Sequence, residues 1–251
     1  MEFCKDLREG NDAYASTQSE KKAFTMKKSL LIPREQYLSA GVHIGMTSKT
    51  ADMNKFIYKV RPNGLAVLNV GMLDSRIAAA ASMLANSKDI LIVARKDVAQ
   101  SPAKKFADAI GARSVIGRFM PGSLTNPTYE NFFEPEIILL TDPAIDKQAL
   151  KEAVQIRIPI ISLTDTFNNT DFLDLVVPCN NRGKKSIALV FWLLAKLIME
   201  KRNIKYELKP EDFGYDEGEE NPEARRSPRQ QRPKGGRDNR DRNSRDNRDR
   251  R

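Results

Sequence analysis

A three-layer α/β fold, built on a doubly wound parallel sheet of five strands, is what this sequence predicts. Three observations point there: five short apolar runs, helical spacing in the segments between them, and little polar interruption within the runs themselves. Such runs mark strands covered on both faces, as the strands of a parallel sheet are. Strand and helix patterns in alternation then require crossover connections, with a layer of helices on each side of the sheet.

Residues 1 to 31 are polar, lack periodicity and end near "KKAFTMKKS", so they are read as a basic N-terminal extension, with Met26 as an alternative start. A short helix follows in "LIPREQYLSAG", with Pro33 in its first turn and Gly41 just past its end. The expected strands are "LAVLNV" (65 to 70), "DILIVA" (89 to 94), "RSVIG" (113 to 117), "EIILLT" (136 to 141) and "PIISLT" (159 to 164). Between them "LDSRIAAAASMLANS", "SPAKKFADAIG" and "DKQALKEAVQI" have helical spacing, the second closed by Gly111 and the third opened by Asp146 as its cap. A last helix runs from Ser186 to about Lys201, with Ile187, Val190, Phe191, Leu194, Leu197 and Ile198 forming a core stripe. These elements make residues 32 to 206 one domain. An acidic linker (207 to 224) and an Arg/Asp-rich tail (225 to 251) follow, and both termini are expected to be extended or disordered, having too few large apolar residues to offset ordering entropy.

The chain carries a net charge of +9, unevenly spread. Residues 225 to 251 hold +8 and residues 207 to 224 hold −7, which leaves +8 on the body. A basic body and a basic tail suit a polyanion better than a small acidic substrate. The tail repeats "RDNRDR" at 237 to 242 and 245 to 250, and arginine's planar fork grips phosphate bidentately. Cys4 and Cys179 lack the spacing of a zinc site or a disulfide framework, which fits a reducing, cytoplasmic setting. "MEFCKDLREGND" has no apolar signal core, and "SIALVFWLLAKLIME" is too short for a span of ~20 residues and contains Lys196. No membrane partner is expected.

Two strands end alike, in "LLTDP" and "SLTDT". Carboxylates beyond the carboxyl ends of such strands suit an active site, and Asp142 and Asp165 are its candidates in a stand-alone phosphotransfer or nucleotide-binding enzyme. The competing reading makes both Asx-turn acceptors that hold the chain at the strand tips. "CNNRGKKS" departs twice from a phosphate-binding loop, through Pro178 at the first glycine position and Lys185 between Lys184 and Ser186. Even so, Arg182, Lys184 and Lys185 gather at a helix N-terminus, where an anion such as a nucleic-acid phosphate relieves the unfavourable dipole. His43 is the sole histidine and cannot build a His-based metal site. It is read as a turn residue or an RNA contact. "RFMPGSLTNP" is a Gly/Pro loop headed by Arg118.

Seven collinear fragments, "AGVHIG", "KFIYKVRPNGLAVLNV", "DILIVARKDVAQ", "GRFMPGSLTNP", "EPEIILLTDP", "DKQALKEAVQIRIPIISLTDT" and "VVPCNNRGKKSIALVFWLLA", closely resemble the small-subunit ribosomal protein S-two family, called SA or laminin-receptor-like in eukaryotes. The likeness covers about 32 to 204. It implies a flavodoxin-like (Rossmann-like) sheet, no catalytic residues, no cofactor and no small-molecule substrate. It also implies a place on the solvent side of the subunit, between head and body near the messenger exit. Bacterial members insert a helical hairpin for which "GMLDSRIAAAASMLANSKD" leaves no room, and the tail lacks the Trp-containing repeats of animal members, so an archaeal type is expected. Met46 stands where bacterial relatives have a second histidine, and Ser123 where threonine is usual.

The combined expectation is a structural constituent of the 30S ribosomal subunit, binding 16S rRNA and neighbouring small-subunit proteins. Lys55, Lys59, Arg61, Arg118, Arg182, Lys184 and Lys185 on the body, and Arg237, Arg240, Arg242, Arg245 and Arg248 in the tail, are the expected phosphate contacts. The alternatives are the enzyme using Asp142 and Asp165, and a regulatory RNA-binding protein acting off the ribosome.

Overall fold

The computed structural model describes residues 30–204 and 209–214. Five parallel strands form the central sheet: β3 (Ile90–Ala94), β4 (Arg113–Ile116), β5 (Ile137–Leu140), β6 (Ile160–Thr164) and β7 (Leu175–Pro178), in the order β4-β3-β5-β6-β7. In chain order that is 2-1-3-4-5, the flavodoxin-like arrangement, whose switch point lies between β3 and β5. Alternation along the strands explains the apolar runs. Ile90, Ile92 and Ala94 enter one core while Leu91 and Val93 enter the other.

The number of strands agrees with the sequence reading, but one member differs. "LAVLNV" is not in the main sheet: its β2 (Ala66–Leu68) pairs antiparallel with β1 (Ile57–Val60) in a separate hairpin. Asn69, within the expected strand, is the N-cap of the following helix and accepts the Gly71 N–H at 3.0 Å. The fifth parallel strand is instead "LVVP". An apolar run reports burial and says nothing of which strand it pairs with. Pro178 reads as a strand breaker, yet an edge strand tolerates proline because its outward N–H needs no partner.

The larger core lies under α2 (Val70–Asn86), α3 (Asp97–Ile110) and α5 (Lys184–Arg202), with Leu73, Ile77, Phe106, Phe191 and Leu194 fully buried. The Phe106 and Phe191 rings meet at 5.2 Å and 47°, a tilted pair worth ~1 kcal/mol beyond burial. The short α1 (Arg34–Ser39) adds Tyr37, whose hydroxyl donates to Asp74 at 2.6 Å. On the other face α4 (Lys147–Ile156) and the 118–135 loop cover Leu91, Val93, Ile138 and Leu140. A third, small cluster of Met53, Phe56, Leu68 and Val176 seats the hairpin against β7.

Three expected boundaries move. Helix α3 begins at Asp97, a turn before "SPAKKFADAIG", and carries Pro102 inside it. Leu31, assigned to the extension, is tied to the fold by its N–H to Asp74 Oδ2 at 3.1 Å. The acidic stretch contains a 3-10 turn, Pro210–Phe213, whose Phe213 is buried in the main core while Lys105 donates to the Asp212 carbonyl. One aromatic anchor is enough to order that turn although the surrounding composition is polar. No helix among the described residues is long and apolar enough to cross a membrane.

Candidate nucleic-acid interface

The loops at the carboxyl ends of the strands are stitched together by polar side chains, and the two aspartates are part of that stitching. Asp142 Oδ1 accepts the Ala144 N–H at 3.0 Å and the Asn168 amide at 3.1 Å, while Oδ2 lies 3.5 Å from the Lys96 ammonium. Asp165 Oδ1 accepts the Thr166 N–H at 2.6 Å. Burial raises the Asp165 carboxyl above its ordinary range, opposed by the Thr166 N–H, Arg182 and Lys96. Both aspartates are about 1% exposed, and their hydrogen bonds tie the chain at the strand tips.

Asp146 departs from expectation. It occupies the N-cap position of α4 but makes no capping bond; its side chain turns inward, where Oδ2 accepts the Thr141 hydroxyl at 3.3 Å. Burial pushes its carboxyl up to about 7. His43 is also buried, and desolvation lowers its pKa, with Arg61 and Arg34 adding to that effect. Its carbonyl accepts the Leu68 N–H at 2.8 Å, which fixes the hairpin to the "AGVHIG" turn. Cys179 is buried, and burial raises its thiol well above the usual range.

The seven predicted body cations fall into three groups. Lys55, Lys59 and Arg61 lie together on the hairpin and the 3-10 turn before it (Asp52–Phe56), all exposed. Lys55 and Arg76 sit over the Phe56 ring at 5.1 and 5.5 Å. This hairpin segment is anchored to the sheet end, since the Met46 N–H donates to Thr166 Oγ1 at 2.9 Å and the Thr50 N–H to the Thr166 carbonyl at 3.0 Å. Arg182, in the loop entering α5, and Lys184 and Lys185, the first residues of that helix, form the second group. Asn180 Oδ1 ties that loop by accepting the Arg182 and Gly183 N–H groups, and Arg182 stacks 4.7 Å above Phe167. Ser186 Oγ donates to the Asn180 carbonyl and does not cap the helix, leaving the α5 N-terminus without a side-chain cap.

Arg118 is the third site, exposed beside the switch point in a crevice of about 210 Å³ that it shares with Arg95, Phe119 and Asp146. Arg95 and Lys96 were missed by sequence reasoning. Their signal was the same as for the LTD pair: position directly after an apolar strand. The tail arginines, Arg237, Arg240, Arg242, Arg245 and Arg248, lie outside the described residues.

Two internal clamps also escaped the sequence. Glu152, on α4 and nearly fully buried, accepts the Gly122 and Leu124 N–H groups at 2.9 and 3.2 Å and so positions the loop that Arg118 heads. Arg202 spreads its guanidinium over the carbonyls of Leu84, Ala85, Ser87 and Ile110, closing the C-termini of α2 and α3.

A family model described as "Ribosomal protein S2" matches residues 37–133 and 130–201. The "Small ribosomal subunit protein uS2" of Methanoregula boonei is 48% identical over 188 residues, 74% of this chain and 93% of that protein. The protein of the same name from Haloquadratum walsbyi is 51% identical over 175 residues, 69% of this chain and 63% of its own length.

Proposed function

Because the chain belongs to the ribosomal protein S2 family, we propose that it is a structural component of the small ribosomal subunit, bound in the cytoplasm to 16S rRNA and to neighbouring small-subunit proteins. The observation that carries this reading is identity near one half that runs through almost the whole length of an archaeal relative so named. RNA is held by shape and phosphate contacts: the hairpin cations Lys55, Lys59 and Arg61, the α5-entry cations Arg182, Lys184 and Lys185, and Arg118 reach the sugar–phosphate backbone. The tail arginines extend the grip. Arg118 and Arg182 supply planar forks, and the uncapped N-terminus of α5 adds its dipole to the second group.

The site does no chemistry in this reading. Asp142 and Asp165 keep the strand-end loops in place so that the cations stand where the RNA backbone passes. Replacing both by asparagine therefore loosens loops without abolishing turnover of any metabolite, whereas the enzyme reading requires that loss.

Sedimentation of tagged protein on gradients tests the assignment: it should travel with small subunits, and a profile concentrated in subunit-free fractions would overturn it. A filter-binding salt titration against 16S rRNA tests the mechanism. If the seven body cations and the five tail arginines each meet one phosphate, log Kobs falls with log salt with a slope of about −8 to −11. Binding indifferent to salt contradicts the phosphate mechanism.

A further inference from the structure

In a sheet of this class, parallel neighbours are joined by crossovers of about a dozen residues or more, usually containing a helix. Here β5 and β6 are joined through α4, but the β6–β7 connection, residues 165–174, has no helix. The flank of α4 that such a helix would cover is open. It forms one wall of a groove of about 620 Å³, with Leu150 and Val154 from α4 facing Phe167 and Phe172 from the β6–β7 loop.

Phe172 is the unusual member. It is 72% exposed and holds φ at +62°, a left-handed conformation that strains a bulky residue. A strained backbone that keeps an aromatic ring in water is unfavourable in the free chain and is explained if something covers the ring. Lys147 and Lys151, one turn apart on α4, line the same groove together with one carboxylate, Asp171, so its lining is net positive, and neither lysine has an ion-pair partner among the described residues.

We propose that this groove receives an amphipathic helix of a neighbouring small-subunit protein, its apolar stripe packing between α4 and Phe172 and its flanking carboxylates meeting Lys147 and Lys151. The open space has the place and shape of a missing crossover helix, and helices dock into such grooves through apolar anchors at three- and four-residue spacing. The mainly apolar walls favour a protein side over RNA, whose backbone would call for more cations and whose bases would call for flat platforms. That the neighbour belongs to the small subunit rests on the reading above.

The test places the photo-cross-linker p-benzoylphenylalanine at position 172, an exposed site whose change leaves the core intact, and irradiates small subunits purified from cells. The expected product links position 172 to an apolar residue on a helix of another small-subunit protein, with Asp or Glu within four residues of it. The double variant Lys147→Glu/Lys151→Glu should lower its yield about tenfold, as the sum of two rim contacts each worth severalfold. A cross-link to RNA, to a second copy or to this chain itself overturns the proposal, as does the absence of any cross-link in subunits that contain the protein. Absence of the protein from the subunits is read from the gradient before irradiation; it sinks the ribosomal reading and, with it, the neighbour proposed here.

Discussion

At the scale of single residues, the loops depend on close approach more than on charge. A Cβ on Gly45 would lie 2.5 Å from Thr166 Cγ2 and 3.2 Å from the Ala66 carbonyl. Thr166 cannot rotate away freely, because its hydroxyl accepts the Met46 N–H and donates to the Ser48 carbonyl. Gly45→Ala should therefore cost about 1–3 kcal/mol of unfolding free energy, measured by urea denaturation. A second prediction concerns Asp146, whose buried carboxyl titrates near 7 against 3.8 unfolded. A folded pKa above the unfolded one means that protonation favours the fold. The contribution is fully present below 3.8 and lost as pH rises through about 7. Asp146→Asn should raise the urea midpoint more at pH 8 than at pH 5; an equal effect at both would show that the carboxyl is not the titrating group.

At the scale of elements, helix ends and one hairpin bear most of the consequence. Arg202 satisfies carbonyls at the ends of two helices at once, so Arg202→Ala should cost about 2–3 kcal/mol. Lysine should recover only part of that, since a point charge cannot span four carbonyls as a planar fork does. Thermal unfolding of the three proteins checks the order. The hairpin carries the RNA prediction at this scale: Lys55→Gln/Lys59→Gln/Arg61→Gln should flatten the salt dependence of 16S rRNA binding by about two to three units of slope, while the unfolding free energy falls by no more than the ~0.5–1 kcal/mol of the Lys55–Phe56 contact because all three side chains are exposed. An unaltered slope would remove the hairpin from the interface and leave the other cations to account for binding.

At the scale of the whole molecule, periodicity and composition made the architecture readable. Apolar runs flanked by helical segments located β3 to β6, α2 and α4, and the stripe of Ile187, Val190, Phe191, Leu194 and Ile198 located α5 as a core helix. Of the cations proposed to face RNA, Arg118, Arg182 and Arg61 are exposed outside helices and strands, whereas Lys55, Lys59 and Lys184 are exposed on the 3-10 turn, on β1 and at the start of α5. The surroundings of Asp142 were not readable locally, because Asn168 and Lys96 lie 26 and 46 positions from it in the chain. The sequence by itself determined β3 to β6, the helices packed on them, their burial pattern and the family, since these depend on local spacing and on residue identity in order. Tertiary structure alone decided that "LAVLNV" leaves the main sheet while "LVVP" joins it, that Glu152 and Arg202 act as clamps, and that the β6–β7 loop leaves a groove beside α4. Each of those depends on pairing between distant segments, and no local pattern encodes which distant backbone group a strand or a side chain will meet.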